Sequence, residues 1–303
     1  MKKNTWITEH FTPHEKHLHQ LKHTIVSTRT KFQKAILADS HSFGRCLILD
    51  GEMQSAQSDE FIYHESLVCP ALMLHKQPAD VLIMGGGEGA TTREVLRYKK
   101  LRRVVTVDID GEVVDFCIKY LKPWHQGAFS NPKSELIIGD ARAYVFETGK
   151  KFDVIISDLP SPIEGGPAYT LYTVEFYRKL KSILKPGGIF ALQAGSGNPL
   201  QIKFHKMLYR TLKQVFSDVY AYYSYIPSFD VPWAFMACGD GIKPAKLSAG
   251  EINRRIAGRL TGKLSFYDGY THLGLFNTPK YMRKYLDEEK NVITEKKPVY
   301  FFK

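Results

Sequence analysis

The stretch Asp80-Val-Leu-Ile-Met-Gly-Gly-Gly-Glu-Gly-Ala90 constrains this chain more than any other. Val81 to Met84 carry no polar alternation, the pattern of a parallel strand covered on both faces. Gly85, Gly86, Gly87 and Gly89 then let the backbone turn sharply beneath a ligand, and Thr91-Thr-Arg-Glu-Val-Leu continues as a helix. A second apolar run, Val104-Val-Thr-Val, ends in Asp108 about twenty residues after the glycines, where nucleoside-binding α/β folds set a carboxylate against ribose hydroxyls. The expected ligand is therefore a nucleoside. Glu88 argues against NAD, because its carboxylate would sit where a dinucleotide's pyrophosphate must go, whereas a cationic ligand would be drawn in.

Charge distribution supports that reading. The 303 residues carry 42 basic and 31 acidic side chains, a formal net charge of +11. Such a surplus raises the question of nucleic acid, but the lysines and arginines are spread along the chain and no RNA-binding signature accompanies them. Acidic residues instead gather at the strand-end motifs: Asp59, Glu60, Glu65, Glu88, Asp108, Asp110, Asp140 and Asp158. A basic protein with an acidic cleft points to a cationic substrate. Cys46, Cys69, Cys117 and Cys238 form no CxxC pair and give no metal spacing, so they read as reduced, buried thiols. Neither a membrane-spanning apolar run nor a secretion signal is found, and the expected location is cytoplasmic, with no membrane or nucleic-acid partner.

Taken in order, residues 1–56 read as a small antiparallel β domain of hairpins, with Asp39-Ser-His-Ser-Phe-Gly44 and Asp50-Gly51 as turns. His10, His14, His17, His19 and His23 lie here; Pro13 interrupts helical pairing, and they read as exposed strand and turn residues rather than metal ligands. Residues 59–74 predict a helix. Residues 57–303 form the larger domain, with strands at 81–84, 104–107, 135–138, 153–157 and 189–193 alternating with helices at 91–99, 111–120, 141–147 and 172–184. Lys185-Pro-Gly-Gly188 reads as the turn into the fifth strand, 201–216 as a helix, and 218–226 with 233–238 as late antiparallel strands. No element is assigned to 250–303. The fold class is α/β, a Rossmann-type, mainly parallel sheet of the methyltransferase kind with a small N-terminal antiparallel β domain.

Two further strand ends bring functional groups. Gly139-Asp140-Ala141 supplies an acid and flexible backbone suited to an adenine, and Phe152-Asp-Val-Ile-Ile-Ser-Asp158 delivers a carboxylate at the edge where open α/β sheets place reacting groups. A turn-rich run follows through Pro160, Pro162 and Gly165-Gly-Pro167. Together with Leu49-Asp-Gly-Glu-Met-Gln54, Asp59-Glu-Phe-Ile-Tyr-His-Glu65, Gly85-Gly-Gly-Glu-Gly89 and Val107-Asp-Ile-Asp110, these motifs resemble, in order and over nearly the whole chain, the spermidine synthase family of polyamine aminopropyltransferases.

That resemblance implies decarboxylated S-adenosylmethionine as co-substrate, no prosthetic group, a small-molecule polyamine acceptor, and a homodimer or homotetramer. Position by position it implies Glu88 on the aminopropyl amine, Asp108 on the ribose diol, Asp140 and Ala141 at the adenine, and Gly85 and Gly87 beneath the nucleoside. Gln33 and Gln54 would line the two clefts, and Tyr63, His64 and Asp158 would face the reacting amine. An alkylammonium with a pKa near about 10.4 must lose a proton before it attacks, which makes Asp158 the candidate base.

Two departures bear on the acceptor. The family pattern Asp-x-x-Asp-Pro is here Asp158-Leu-Pro-Ser161-Pro162, so one carboxylate is replaced by a hydroxyl; Glu164 is a candidate for the lost charge. Phe229 stands where putrescine-using members often have tyrosine. The glycine and Asp158 motifs are similar to those of thermospermine synthases and bacterial agmatine or triamine aminopropyltransferases, leaving putrescine, agmatine and spermidine open. An S-adenosylmethionine-dependent methyltransferase shares the same core, and a non-catalytic nucleoside or polyamine binder is the reading from another class.

Overall fold

A computed structural model describes residues 5–162 and 166–300. Five strands, β1 (Thr5–Thr12), β2 (Glu15–Arg29), β3 (Lys34–Ser40), β4 (Gly44–Leu49) and β5 (Glu52–Ala56), form one antiparallel sheet in chain order. β1 and β2 make a long hairpin where the sequence suggested short runs, because their alternating His, Lys and Thr face outward and only one side packs. Of the histidines, His10, His14 and His23 are exposed and His17 half-buried, while His19 is held by Glu9 at 2.7 Å.

Helix α1 (Glu60–Leu74) follows, then β6 (Asp80–Gly85), α2 (Ala90–Leu96), β7 (Arg103–Asp108), α3 (Gly111–Tyr120), a single turn α4 (Lys122–His125), β8 (Ser134–Ile138), α5 (Ala141–Glu147) and β9 (Phe152–Asp158). The remainder is α6 (Val174–Ser182), β10 (Leu184–Ser196), α7 (Ile202–Leu212), β11 (Asp218–Ile226), β12 (Val231–Gly239), α8 (Ala249–Arg259), α9 (Gly269–Leu275) and α10 (Lys280–Glu288). These build a seven-stranded sheet in the order β11-β12-β10-β9-β6-β7-β8. Its five central and right-hand strands are parallel; β12 and β11 run antiparallel at one edge.

Alternate residues of β6 feed opposite cores, as a strand covered on both faces must. Val81 and Ile83 pack with Leu67, Leu72 and Tyr222 on the α1 side, and Leu82 and Met84 with Phe176, Leu180 and Phe204 on the other. Helix α1 is buried from His64 to Met73, which explains why its apolar residues show no single stripe. Pro70 sits inside it. The proline removes the hydrogen bond that Ser66 carbonyl would accept, and the buried Tyr222 hydroxyl supplies the replacement at 3.0 Å. The antiparallel sheet joins the larger one through Ala35, Leu37 and Leu47 against Phe116 and Trp124, with Trp124 Nε1 donating to Ser55 Oγ at 2.8 Å.

Three expectations need correcting. Lys185-Pro-Gly-Gly188 is a bulged start of β10, its register slipping between Leu184 and Ile189, rather than a turn before the strand. The helix expected at 172–184 begins only at Val174 because Thr173 caps it, accepting from the Phe176 amide, after a 3₁₀ turn at 167–172. The stretch expected to hold no element carries helices α8, α9 and α10; α8 and α10 are short and rich in Lys and Arg, and α9 is seven residues long with two glycines.

Candidate active site

The chain leaves β6 for β7 and β8 on one side and returns to β9 on the other, so β6 and β9 flank the point where strand order reverses. Ligands of open α/β sheets bind at the carboxyl ends beside that point. Gly85 and Asp158 are paired there in register. Gly85 has φ +78°, and a Cβ on it would lie 2.3 Å from the Asp158 carbonyl oxygen, so no other residue fits. A Cβ on Gly87 would lie 2.8 Å from Asp108 Oδ2. The glycine turn thus brings the carboxylates of two strand ends against one backbone.

Asp158 is the centre of a small hydrogen-bond set. Its Oδ1 accepts from Tyr63 Oη at 2.7 Å and its Oδ2 from Thr91 Oγ1 at 2.5 Å. Burial, then the Asp158 carboxylate, pushes the Tyr63 phenol well above its usual range, so the hydroxyl keeps its proton and orients Asp158 as a donor. The run after Asp158 is pinned by Gln193 Nε2 on the Leu159 carbonyl (2.6 Å) and Tyr172 Oη on the Pro160 carbonyl (2.9 Å), which brings a half-buried Ser161 beside it. Glu164 lies outside the described residues.

Asp108 closes the other side. Burial pushes its carboxyl up to about 6, although the Asp110 amide donates to it at 2.9 Å. Asp110 caps α3 through Val113 and also accepts from Thr30 Oγ1 (2.6 Å) and Gln33 Nε2 (3.0 Å), so Gln33 reaches the cleft from the antiparallel sheet. Asp140 is exposed and accepts from the Arg142 amide at 2.8 Å, with Ala141 buried behind it. Glu88 points to His64, with Oε1 2.6 Å from Nε2. Phe229 stacks edge-on between Tyr63 (6.1 Å) and Trp233 (5.0 Å), and Gln54 is half-buried on β5.

Not every acid near the motifs serves the cleft. Asp59 is 2% exposed and accepts from Ser228 amide (2.6 Å) and hydroxyl (3.0 Å), fixing the turn that carries Phe229. Glu65 is 2% exposed and accepts three backbone amides, from Ser265, Phe266 and Tyr267, each at 2.8 Å. Glu60 is bound by Arg93. With Asp59, Glu60 and Glu65 held elsewhere, fewer acids are left for the cleft than the sequence suggested.

Sequence reasoning missed Thr91, Thr30, the Arg93–Glu60 pair and Ile138. Ile138 is 52% exposed at the end of β8, an apolar side chain left open beside Gly111 and next to Gly139-Asp140. Thr91 carried a signal, since it follows the glycine turn directly; the others become visible only when separate elements meet.

A Rossmann-type sheet whose glycine turn carries Glu88 and meets the strand-end carboxylates Asp108 and Asp158 is the frame of a transferase. Two family models match this chain between residues 5 and 245. The spermine/spermidine synthase domain matches residues 60–245 and the spermidine synthase tetramerisation domain residues 5–57. The chain belongs to the spermine/spermidine synthase family. It is 48% identical over 295 residues, 97% of each chain, to the polyamine aminopropyltransferase of Sulfolobus acidocaldarius. It is 46% identical over 283 residues, 93% of this chain and 92% of the relative, to polyamine aminopropyltransferase 2 of Hyperthermus butylicus. Among solved structures it resembles spermidine synthase from Thermotoga maritima, with TM-score 0.85, 28% identity and 95% and 96% of the two chains covered. A spermidine synthase bound to the transition-state analogue AdoDATO matches with TM-score 0.87 and 28% identity, over 95% and 97%.

Proposed function

We propose that this chain is a polyamine aminopropyltransferase that moves the aminopropyl group of decarboxylated S-adenosylmethionine to an amine and releases methylthioadenosine. The observation that carries the reading is the convergence of Glu88, Asp108 and Asp158 on one glycine turn. Asp108 takes the ribose diol, Asp140 and Ala141 the adenine, and Glu88 the tail ammonium. The acceptor amine gives its proton to Asp158; its nitrogen forms a bond to the methylene beside the sulfonium while the C–S pair leaves on sulfur as a neutral thioether. Catalysis then comes largely from alignment, with the charged groups set before the substrates arrive. His64 and Gln54 flank the acceptor cleft in this reading, and Gln33 the co-substrate.

Putrescine, agmatine and spermidine are the acceptors to test. Ser161 leaves a hydroxyl where a second carboxylate would neutralise an ammonium, and Phe229 with Trp233 makes that wall apolar. Incubation with decarboxylated S-adenosylmethionine and each amine, read by mass spectrometry, is expected to yield methylthioadenosine and a lengthened polyamine; no product with any amine would return the chain to the class of nucleoside binders.

Glu88 separates this reading from a methyltransferase. It attracts the lone ammonium of the decarboxylated tail and repels the carboxylate of intact S-adenosylmethionine. Titration calorimetry is expected to show a preference for the decarboxylated form of about a hundredfold, falling to within about tenfold in Glu88→Gln. Tighter binding of intact S-adenosylmethionine would sink the assignment.

Asp108 sets a pH dependence. Burial holds its carboxyl near about 6, so above that pH it is ionised and accepts strongly from the ribose hydroxyls, and below it is protonated. Methylthioadenosine carries no charge of its own, so its Kd is expected to rise as pH falls below 6, by up to about tenfold per unit, and to stay level in Asp108→Asn. A flat profile in the unmodified protein would remove Asp108 from the ribose.

The N-terminal sheet exposes Trp6 (50%) and Leu18 (57%), which suits self-association as a homodimer or homotetramer. A cytoplasmic location fits four buried, free cysteines, and among the described residues no helix is long and apolar enough to cross a membrane.

A further inference from the structure

Behind Glu88 and His64 runs a buried chain of charges whose outer members, Glu60 and Arg93, have no task in the reaction above. Arg93 Nε donates to Glu94 Oε1 at 2.9 Å. Its other end forks onto Glu60, Nη1 to Oε1 at 3.0 Å and Nη2 to Oε2 at 2.9 Å, and Nη1 also reaches the Trp124 carbonyl at 2.7 Å. Glu60 passes the contact on. Its Oε2 lies 2.8 Å and its carbonyl 2.6 Å from His64 Nδ1, and His64 Nε2 lies 2.6 Å from Glu88 Oε1. The side chains are 9% (Arg93), 15% (Glu60), 2% (His64) and 11% (Glu88) exposed.

Each nitrogen of His64 faces a carboxylate, and a carboxylate only accepts. Both nitrogens therefore carry hydrogen, and the ring is an imidazolium between two anions. Against the downward pull of burial, Glu88 and Glu60 raise it well above the ordinary histidine range. Burial raises the Glu88 carboxyl, and the His64 charge opposes that. Glu60 is held low, burial being outweighed by His64 and Arg93, at about 2. These are the charged groups around the ring: Glu60 on its own helix, Glu88 from the glycine turn, Arg93 of α2 behind Glu60, and the Tyr63 ring 5.1 Å away with Asp158 beyond it.

We propose that Glu60 and Arg93 are positioning residues that act through His64 on Glu88, fixing one Glu88 oxygen so that the other alone is offered to the cationic tail. The proposal rests on the aminopropyltransferase reading for the identity of that tail. A glutamate in a loop has several rotamers, and ordering one on binding costs side-chain entropy. Here a short charge-assisted bond orders it beforehand. The fork of Arg93 matters because it occupies both Glu60 oxygens and fixes the plane of the carboxylate that His64 meets.

Two measurements test this. In unliganded protein with ¹⁵N-labelled histidine, His64 is expected to show two protonated nitrogens at about pH 8, where a free imidazole is neutral. In Glu60→Gln, with Glu88 left as the one anion on the ring, His64 is expected to lose its proton at a lower pH than in the unmodified protein, and the KM for decarboxylated S-adenosylmethionine rises about tenfold or more while kcat stays within about threefold. Arg93→Lys, which keeps the charge and loses the fork, is expected to raise the same KM by a smaller factor with His64 still protonated. A neutral His64 in the unmodified protein overturns the proposal, as does Glu60→Gln with unchanged KM; if Glu60→Gln does not fold, an unchanged KM in Arg93→Lys overturns it equally. The nitrogen shifts need no substrate. Absence of turnover with every amine would defeat the functional reading while the His64 signature still stood or fell alone.

Discussion

Asp158→Asn is expected to lower kcat by roughly a thousandfold while leaving methylthioadenosine affinity within about twofold. The substitution is nearly isosteric. Asparagine can still accept from Tyr63 through its oxygen and meet Thr91 through its amide, so both contacts that orient the side chain persist in altered form. What disappears is the capacity to take a proton. An acceptor amine is mostly an ammonium at neutral pH, and without a carboxylate the attacking lone pair is exposed only in the small fraction already deprotonated. Tyr63 cannot substitute, since burial keeps its phenol protonated. Raising the pH is therefore expected to recover part of the lost rate in the variant, because solvent takes over the deprotonation. Near-normal turnover at neutral pH would show that another group removes the proton.

The parallel sheet was legible because its strands are buried on both faces and written as unbroken apolar runs. The runs Val81 to Met84 and Val104 to Val107 grew by only one residue at each end, and Asp108 and Asp158 fell at the strand ends expected for them. The β1–β2 hairpin was not legible, since half of its residues face outward and its histidines and lysines mask the alternation. Nor were α8 to α10: α8 and α10 are short and strongly charged, and α9 is seven residues with two glycines, a weak helical pattern. The hardest matter was the work of each acid. Asp59, Glu60, Glu65 and Glu88 look alike in sequence, yet the first three are bound by Ser228, by Arg93 and by three backbone amides. Those partners lie 33 to 202 positions away in the chain, beyond the reach of any local pattern.

Glu65 provides the sharpest contrast with Asp158, because the same residue class at the same end of the molecule is expected to govern stability instead of rate. Its Oε1 holds the Ser265 amide and its Oε2 those of Phe266 and Tyr267, all at 2.8 Å, next to Tyr63 and His64 on α1. The held segment leads into α9, where Tyr267 is 2% exposed and its hydroxyl lies 2.6 Å from His272 Nδ1. There the chain passes so close to α8 that a Cβ on Gly269 would lie 2.1 Å from the Ala249 carbonyl. A segment packed this tightly has little freedom to find other acceptors. Glu65→Ala removes three charge-assisted bonds and leaves amide donors facing an apolar void, a loss of about 4 kcal/mol. For a chain of this size that corresponds to a melting temperature lower by roughly 6 °C. Because Asp158, Glu88 and Asp108 are untouched, kcat measured well below the new transition is expected to stay within about threefold of the unmodified enzyme. Scanning calorimetry and steady-state rates on the same preparations decide it: a melting temperature within about 2 °C of the parent would mean the three amides find other acceptors. A large fall in kcat at full folding would mean that Glu65 acts on the cleft through its neighbours on α1.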